Sequence, residues 1–171
     1  AIGPIARLNA PGVLAALDRY PYGCTEQITS KALPLLYFDD VAAALDLPDA
    51  DNIKLRIEQA VAEVLTNQSA NGSFGLWGPV ENGGDFWLDA FVTDFLSRAR
   101  ARGYAVPDQA FRNALTNLRN RVNYASNFDK DTRGGGTDLA YALMVLAREG
   151  AAAIGDLRYY DDVKAHAFDT P

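Results

Sequence analysis

The chain has 171 residues, of which 49% are hydrophobic and 22% are charged, with a formal net charge of -6. A chain of this length can bury roughly two thirds of its unfolded surface, so we expect one soluble domain that needs no disulfide. The sixteen Lys and Arg residues are scattered, which argues against a nucleic-acid partner. No stretch approaches the ~20 apolar residues of a membrane span, so no direct membrane contact is expected.

Hydrophobic residues recur at helical spacing along most of the chain, and no segment alternates as a strand would. One such stripe runs through Phe111, Leu115, Leu118 and Val122. The pattern predicts helices near 11–19, 24–46, 51–69, 86–103, 107–124, 137–149 and 156–168. Pro34 should kink or split the second helix, because proline has no backbone N–H to donate.

The connections between these helices alternate in length. The short ones are residues 47–50 and 104–106, and the long, Gly- and Asn-rich ones are residues 70–85 and 125–136. This alternation predicts a single domain over 1–171, built from helical hairpins near 24–69, 86–124 and 137–168. Residues 139–146 are apolar almost all round and should have neighbours on every side. We therefore expect an all-α, incomplete ring of helix pairs, in a chain that is a piece of a larger protein.

The stretch YPYGCTEQ at residues 20–27 contains the only cysteine. Cys24 and Gln27 are three residues apart, so on a helix they share one face. Gly23 should let the backbone turn sharply before that helix. The amides and dipole of a first helical turn favour a thiolate. Attack of the thiolate on the Gln27 carboxamide would expel ammonia and leave an internal thioester.

Such a thioester would need protection, because water would hydrolyse it. Tyr20, Pro21 and Tyr22 are the nearest candidates for a cover, since they place large apolar rings on a stiff backbone.

GCTEQ at residues 23–27 resembles the thioester motif Gly-Cys-x-Glu-Gln of the α2-macroglobulin and complement family. The longer LDRYPYGCTEQ, SKALPLLY and FWLDAFVTDF are similar to the bacterial macroglobulins. The resemblance implies a thioester domain with the α/α toroid fold. It assigns Cys24 and Gln27 as the thioester partners, includes Glu26 in the motif, and gives Tyr20 a shielding role. Glu26 could equally be a first-turn carboxylate that favours the helix dipole, and Tyr20 could be ordinary core packing.

The resemblance also implies a function, that of an endopeptidase inhibitor rather than an enzyme. A protease would cut a bait region elsewhere in the parent protein, and a Lys amine of the protease would then attack Gln27. The expected partners are target proteases and the other domains of the parent macroglobulin. No metal and no cofactor beyond the Cys-Gln thioester are expected. The family's bacterial members suggest the periplasm, with a lipid on the parent protein as a membrane attachment.

Complement-type members of the family carry a histidine downstream that redirects the thioester to hydroxyl groups. The corresponding region here, residues 122–124, has no histidine, so amines are the expected nucleophiles. The only histidine, His166, is expected to be a surface or cap residue. A Cys-His protease would need His166 beside Cys24.

Other patterns leave alternatives open. Residues 68–77 resemble the Gln-Trp repeat of triterpene cyclases, which predicts that Phe74 and Trp77 pack over helix ends. A glycosidase would need a carboxylate pair among Glu81, Asp85 and Asp89, although exposed or capping acids are commoner. RGGGTD at residues 133–138 has no Lys-Ser or Lys-Thr and reads as a linker into an N-cap, not a phosphate loop. A helical interaction module with an inert Cys24 is the remaining alternative.

Overall fold

The structure is a computed structural model that describes residues 23–38, 50–80, 84–125, 128–129 and 136–169. Over these ranges the regular structure is helical, and the one β-type contact is an isolated antiparallel bridge between Gln68 and Phe74. The helices are α1 (Thr25–Leu35), α2 (Ala50–Thr66), α3 (Phe86–Ala101), α4 (Asp108–Tyr124), α5 (Thr137–Arg148) and α6 (Ile154–Asp162), followed by a 3-10 helix (Ala165–Ala167). The prediction of an all-α fold is confirmed.

Helix α3 is central, and it packs against α1, α2, α4 and α5. Eleven of its sixteen residues are buried, including the polar residues Asp89, Thr93, Asp94 and Ser97. The alternate helices α1, α3 and α5 contact one another in that order, while α2 lies against α1 and α4 against α3. This is the layering of an α/α toroid, in which successive helix pairs contribute one helix to an inner ring and one to an outer ring.

The apolar core follows these pairs in two clusters. The first joins α1, α2 and α3 around Ile57, Phe74 and Phe95, which are fully buried. The second joins the end of α4 to α5 and α6. One face of α5 is left exposed by the described residues, with Met144 42% exposed between the exposed Ala140 and Ala147. The described residues thus cover α5 on one face only, and neighbours on every side of this helix stay a prediction about a larger toroid.

The predicted break at Pro34 is confirmed, because α1 ends at Leu35 and the Tyr37 N–H donates to the Pro34 carbonyl. The remainder of that predicted helix, and the one predicted near 11–19, lie outside the described residues. The helix predicted over 156–168 is wrong at its end. Helix α6 stops at Asp162, where the Tyr159 carbonyl accepts from both Val163 and Lys164 and closes the last turn.

Helix α5 begins at Thr137, the residue that the sequence predicted as its N-cap, so the cap lies one residue earlier than predicted. Gly136 is the N-cap, with a left-handed φ of 74°, and Thr137 is the first helical residue. A Cβ at Gly136 would lie 2.6 Å from the Phe128 ring and 2.8 Å from the Phe168 ring. Glycine is thus required here by both backbone conformation and space. None of the described helices combines the length and apolar character that crossing a membrane requires.

Candidate functional site

Cys24 and Gln27 meet at the N-terminus of α1. Cys24 is the N-cap, extended at φ -68° and ψ 164°, and only 8% of it is exposed. Its side chain faces the backbone N–H of Gln27, and the Gln27 Oε1 accepts from the Cys24 N–H at 3.3 Å. These two residues form the reciprocal arrangement of a capping box. The helix end therefore holds the thiol and the carboxamide side by side.

This arrangement has a chemical consequence for the carboxamide. A donor on Oε1 polarises the carbonyl, and negative charge would develop on that oxygen if the sulfur attacked the carbon. The positive end of the helix dipole favours negative charge at the same place. The geometry is thus suited to acyl transfer from Gln27 to Cys24.

Gly23 has a different role from the one the sequence suggested. Its backbone is not left-handed, so the residue is not required for a sharp turn. A Cβ at this position would instead lie 2.9 Å from the Cγ1 atom of Ile28, which is tighter than a carbon contact allows. A larger residue here would have to displace the Ile28 side chain, because the chain passes close to the first turn of α1.

The other residues that the motif singled out are distributed as follows. Glu26 is exposed in the first turn of α1, a position that favours the helix dipole. Tyr20 and Tyr22, the predicted shield, lie outside the described residues. His166 is exposed on the 3-10 helix after α6, as predicted for a surface residue. Among the residues that the structure describes, no group of three or more His, Cys, Asp and Glu side chains could hold a metal ion.

Thr25 is a residue of this site that the sequence reasoning missed. It is fully buried, its N–H donates to the Leu76 carbonyl at 2.9 Å, and its hydroxyl donates to the Gly75 carbonyl at 2.5 Å. The Asn67 side-chain amide donates to the same hydroxyl oxygen at 2.8 Å. The motif helix is therefore fastened to the segment that follows α2.

Residues 68–77 brace the fold, but only part of the predicted packing is found. Phe74 is fully buried in the core, whereas Trp77 is 74% exposed, so the prediction that Trp77 packs over a helix end is wrong. Gln68 Nε2 donates to the Ala110 carbonyl in the first turn of α4 at 3.0 Å. A shallow cavity of about 400 Å³ lies beside this segment, lined by Leu76, Trp77, Pro79, Val80 and Leu88 among others.

Asp89 supports the same segment from α3. Its buried carboxylate accepts from the Phe74 N–H at 2.7 Å, from the Ser73 hydroxyl, and from the Asn117 amide at 2.8 Å, and it pairs with Arg121 at 3.0 Å. Burial raises the pKa of Asp89, and the surrounding donors oppose that rise. The hydrogen-bond donors and the guanidinium of Arg121 favour the ionised carboxylate.

These contacts bear on the glycosidase alternative. Both carboxylate oxygens of Asp89 already have partners in the fold, so neither is available to a substrate. The expectation that these acids are exposed or cap a helix is wrong for Asp89, which is buried inside α3. Asp85 does cap α3, since its Oδ1 accepts from the Leu88 N–H at 2.8 Å. Glu81 lies outside the described residues.

Comparison with known proteins shows the family to which this chain is similar. A family model described as "A-macroglobulin TED domain" matches residues 1–133, which is most of the chain. The alpha-2-macroglobulin of Escherichia coli K12 is 33% identical over 172 aligned residues that cover 94% of this chain. The alignment covers 10% of that relative, so the chain spans about a tenth of its length.

Solved structures agree with the sequence matches. Native alpha-2-macroglobulin from E. coli, from domain MG7 to the C-terminus, superposes with a TM-score of 0.74 at 31% identity and covers 92% of this chain and 26% of that one. Trypsin-activated alpha-2-macroglobulin from E. coli gives a TM-score of 0.71 at 32% identity, over 85% of this chain and 11% of that one. The helix arrangement described above is thus that of a macroglobulin domain.

Proposed function

Because the chain belongs to the A-macroglobulin thioester-domain family, we propose that it is the reactive domain of a broad-spectrum, single-use protease trap. The observation that supports this most directly is the capping box at α1, which holds the Cys24 thiol beside the Gln27 carboxamide. The protein would be consumed in the reaction and would act as an endopeptidase inhibitor, with no turnover.

The first step is the formation of the thioester. The Cys24 sulfur bonds to the side-chain carbonyl carbon of Gln27, the bond from that carbon to Nε2 breaks, and nitrogen leaves as ammonia with the thiol proton. The Cys24 N–H supports the charge that develops on Oε1. No external cofactor is required, because both reacting groups belong to this helix end.

The second step is the capture of a protease. A Lys amine of the protease attacks the same carbonyl carbon, the carbon–sulfur bond breaks, and Cys24 leaves as a free thiol after proton transfer. The protease stays attached to Gln27 through an isopeptide bond. Amines are the proposed nucleophiles because Val122, Asn123 and Tyr124 offer no histidine to activate a hydroxyl group.

The wider setting is part of the proposal. The trypsin-activated state of the E. coli relative supports proteases as partners. The other domains of a longer parent macroglobulin, together with Tyr20 and Tyr22, would keep water from the thioester until a protease cuts the bait region. We place the parent in the periplasm, with a lipid as its membrane attachment.

Trapping is tested with the Cys24→Ala variant of the full-length protein. After incubation with trypsin, the wild type should give covalent complexes that survive boiling in detergent under reducing conditions, and the variant should give none. Gln27 should be the residue that is cross-linked to a trypsin lysine in peptide mass spectrometry. Covalent complexes of equal yield from the variant would refute the proposal.

A further inference from the structure

Thr25 occupies the position that the motif Gly-Cys-x-Glu-Gln leaves unspecified, yet it is the most firmly held residue of the site. Its backbone N–H donates to the Leu76 carbonyl and its hydroxyl donates to the Gly75 carbonyl. The hydroxyl oxygen also accepts from the Asn67 amide. We call Thr25, Asn67 and the Gly75 and Leu76 carbonyls the Thr25 clamp. In the sequence, Thr25 lies between the two reacting residues, directly after Cys24 and two positions before Gln27.

The Gly75 and Leu76 carbonyls, which accept from Thr25, belong to a segment that is itself held by hydrogen bonds. The Gly75 N–H donates to the Asn67 carbonyl at 3.1 Å, so the two sides of the clamp are bonded to each other. A Cβ at Gly75 would lie 1.9 Å from the Gly78 carbonyl oxygen, which shows how tightly the segment folds on itself. One residue earlier, the Phe74 N–H is held by Asp89. The Gly75 and Leu76 carbonyls are thus presented by a segment that α3 holds in place.

A fixed Thr25 fixes the geometry on which the reaction depends. As the first residue of α1, it sets the direction in which Cys24 leaves the helix, and hence where the sulfur lies relative to the Gln27 carbon. Holding two reacting groups in an aligned contact removes much of the entropic barrier to their reaction. Helix stability alone does not require the Cys24 sulfur to be aligned with the Gln27 carbonyl carbon, whereas the proposed function does.

We propose that Thr25 is a positioning residue for thioester formation, acting through its hydroxyl and the Thr25 clamp; this inference rests on the proposed function. The hydroxyl takes no part in bond making. Sulfur still attacks the Gln27 carbonyl carbon and ammonia still leaves, but the clamp holds the sulfur over that carbon.

The test uses the full-length protein, purified without amines, as wild type, Thr25→Val, Thr25→Ser and Thr29→Val. Valine keeps the shape of threonine but leaves the Asn67 amide and the Gly75 carbonyl without a partner. Serine keeps the hydroxyl. Thr29 is the matched control, because it is also fully buried in α1, and among the described residues its hydroxyl bonds within the helix, to the Thr25 carbonyl at 2.7 Å.

Two readouts are taken, the ratio of thioester to unreacted amide by intact mass and the thiol released by methylamine. We expect Thr25→Val to lower the ratio about tenfold, the factor that corresponds to one buried hydrogen bond. Thr25→Ser should stay within about twofold of wild type, and so should Thr29→Val, even where its melting temperature falls as far as that of Thr25→Val.

Other outcomes separate this inference from the function on which it rests. A wild type of full calculated mass that takes up no methylamine would refute the proposed function itself. If the wild type contains the thioester and Thr25→Val has the same ratio of thioester to amide, the positioning role alone is refuted. It is also refuted if Thr29→Val lowers that ratio as much as Thr25→Val does. If Thr25→Val does not fold, Asn67→Ala removes one bond of the clamp, and an unchanged ratio in that variant would overturn the inference.

Discussion

Helix α3 carries two buried carboxylates, Asp89 near its start and Asp94 near its middle, and they have different partners. Asp89 is bound by the Phe74 N–H, Asn117 and Arg121, and it fixes a loop. Asp94 is bound by long side chains, Arg98 at 2.8 Å, Arg148, and the Tyr141 hydroxyl at 2.8 Å.

The network around Asp94 connects α3 with α5 and with the end of α1. Arg148 and Tyr141 belong to α5, and Arg98 also donates to the Tyr37 hydroxyl just after α1. The middle of α3 therefore ties the inner helices to one another, while its start holds the segment that contacts Thr25. One buried helix thus carries two separate polar networks.

The largest effect is expected when each carboxylate is neutralised. Asp89→Asn should lower the free energy of unfolding by about 3 kcal/mol, because it leaves a poorly exposed Arg121 and several donors without an anionic partner. Asp94→Asn should cost about 1–2 kcal/mol, because Arg98 and Arg148 are about a third exposed and can turn to water. Denaturant unfolding of the 171-residue chain measures both values.

The thioester content of the full-length variants then sharpens the contrast. Asp89→Asn should lower the ratio of thioester to amide, and Asp94→Asn should leave it near that of the wild type. Equal ratios in the two variants would show that the Asp89 and Asp94 networks do not differ in this respect.

A smaller effect is expected from the contact between the loop and α4. At Gly72, φ is 90°, and a Cβ would lie 2.1 Å from the Asn113 carbonyl oxygen. Gly72→Ala should therefore cost about 2–3 kcal/mol, from backbone strain and displacement of the loop. Gly103 is the matched control, since its φ is 86° but a Cβ there would meet nothing within 4 Å. Gly103→Ala should cost only about 1 kcal/mol, and equal losses would contradict a close loop contact.

The smallest effect concerns Tyr141 and depends on pH. Burial raises the pKa of Tyr141 well above its ordinary value of 10.0, and the hydrogen bond to Asp94 and the charge of that carboxylate raise it further. The folded state thus favours the neutral phenol, whose contribution to stability is complete below pH 10 and is lost as the pH rises toward the folded pKa. Tyr141→Phe should cost about 1 kcal/mol at about pH 8 and less above about pH 10. A cost that grows with pH would contradict this contact.

The sequence predicted the features that depend on neighbouring residues. The apolar stripe from Phe111 to Val122 located α4 to within a residue, and the break at Pro34 follows from proline chemistry. The spacing of Cys24 and Gln27 predicted that they share the end of a helix. Each of these features is decided within one or two turns of chain, where helical periodicity is informative.

The features that the sequence did not predict depend on distant partners. Asn67 and Leu76 are 42 and 51 residues from Thr25, so nothing local indicated that the unspecified motif position is the one that is clamped. The sequence predicts Asp89 to be an exposed or capping acid, although its apolar neighbours Leu88 and Ala90 are a signal of a buried network. Helix α6 ended early because a backbone carbonyl closed it, which residue pattern does not show.

The central claim, that Cys24 and Gln27 form an internal thioester, is tested most directly by the intact mass of the full-length native protein before and after methylamine. The account predicts a mass one ammonia below the calculated value, followed by addition of methylamine at Gln27 and release of one titratable thiol at Cys24. A native protein of full calculated mass, with its thiol already free and no uptake of methylamine, would contradict the account.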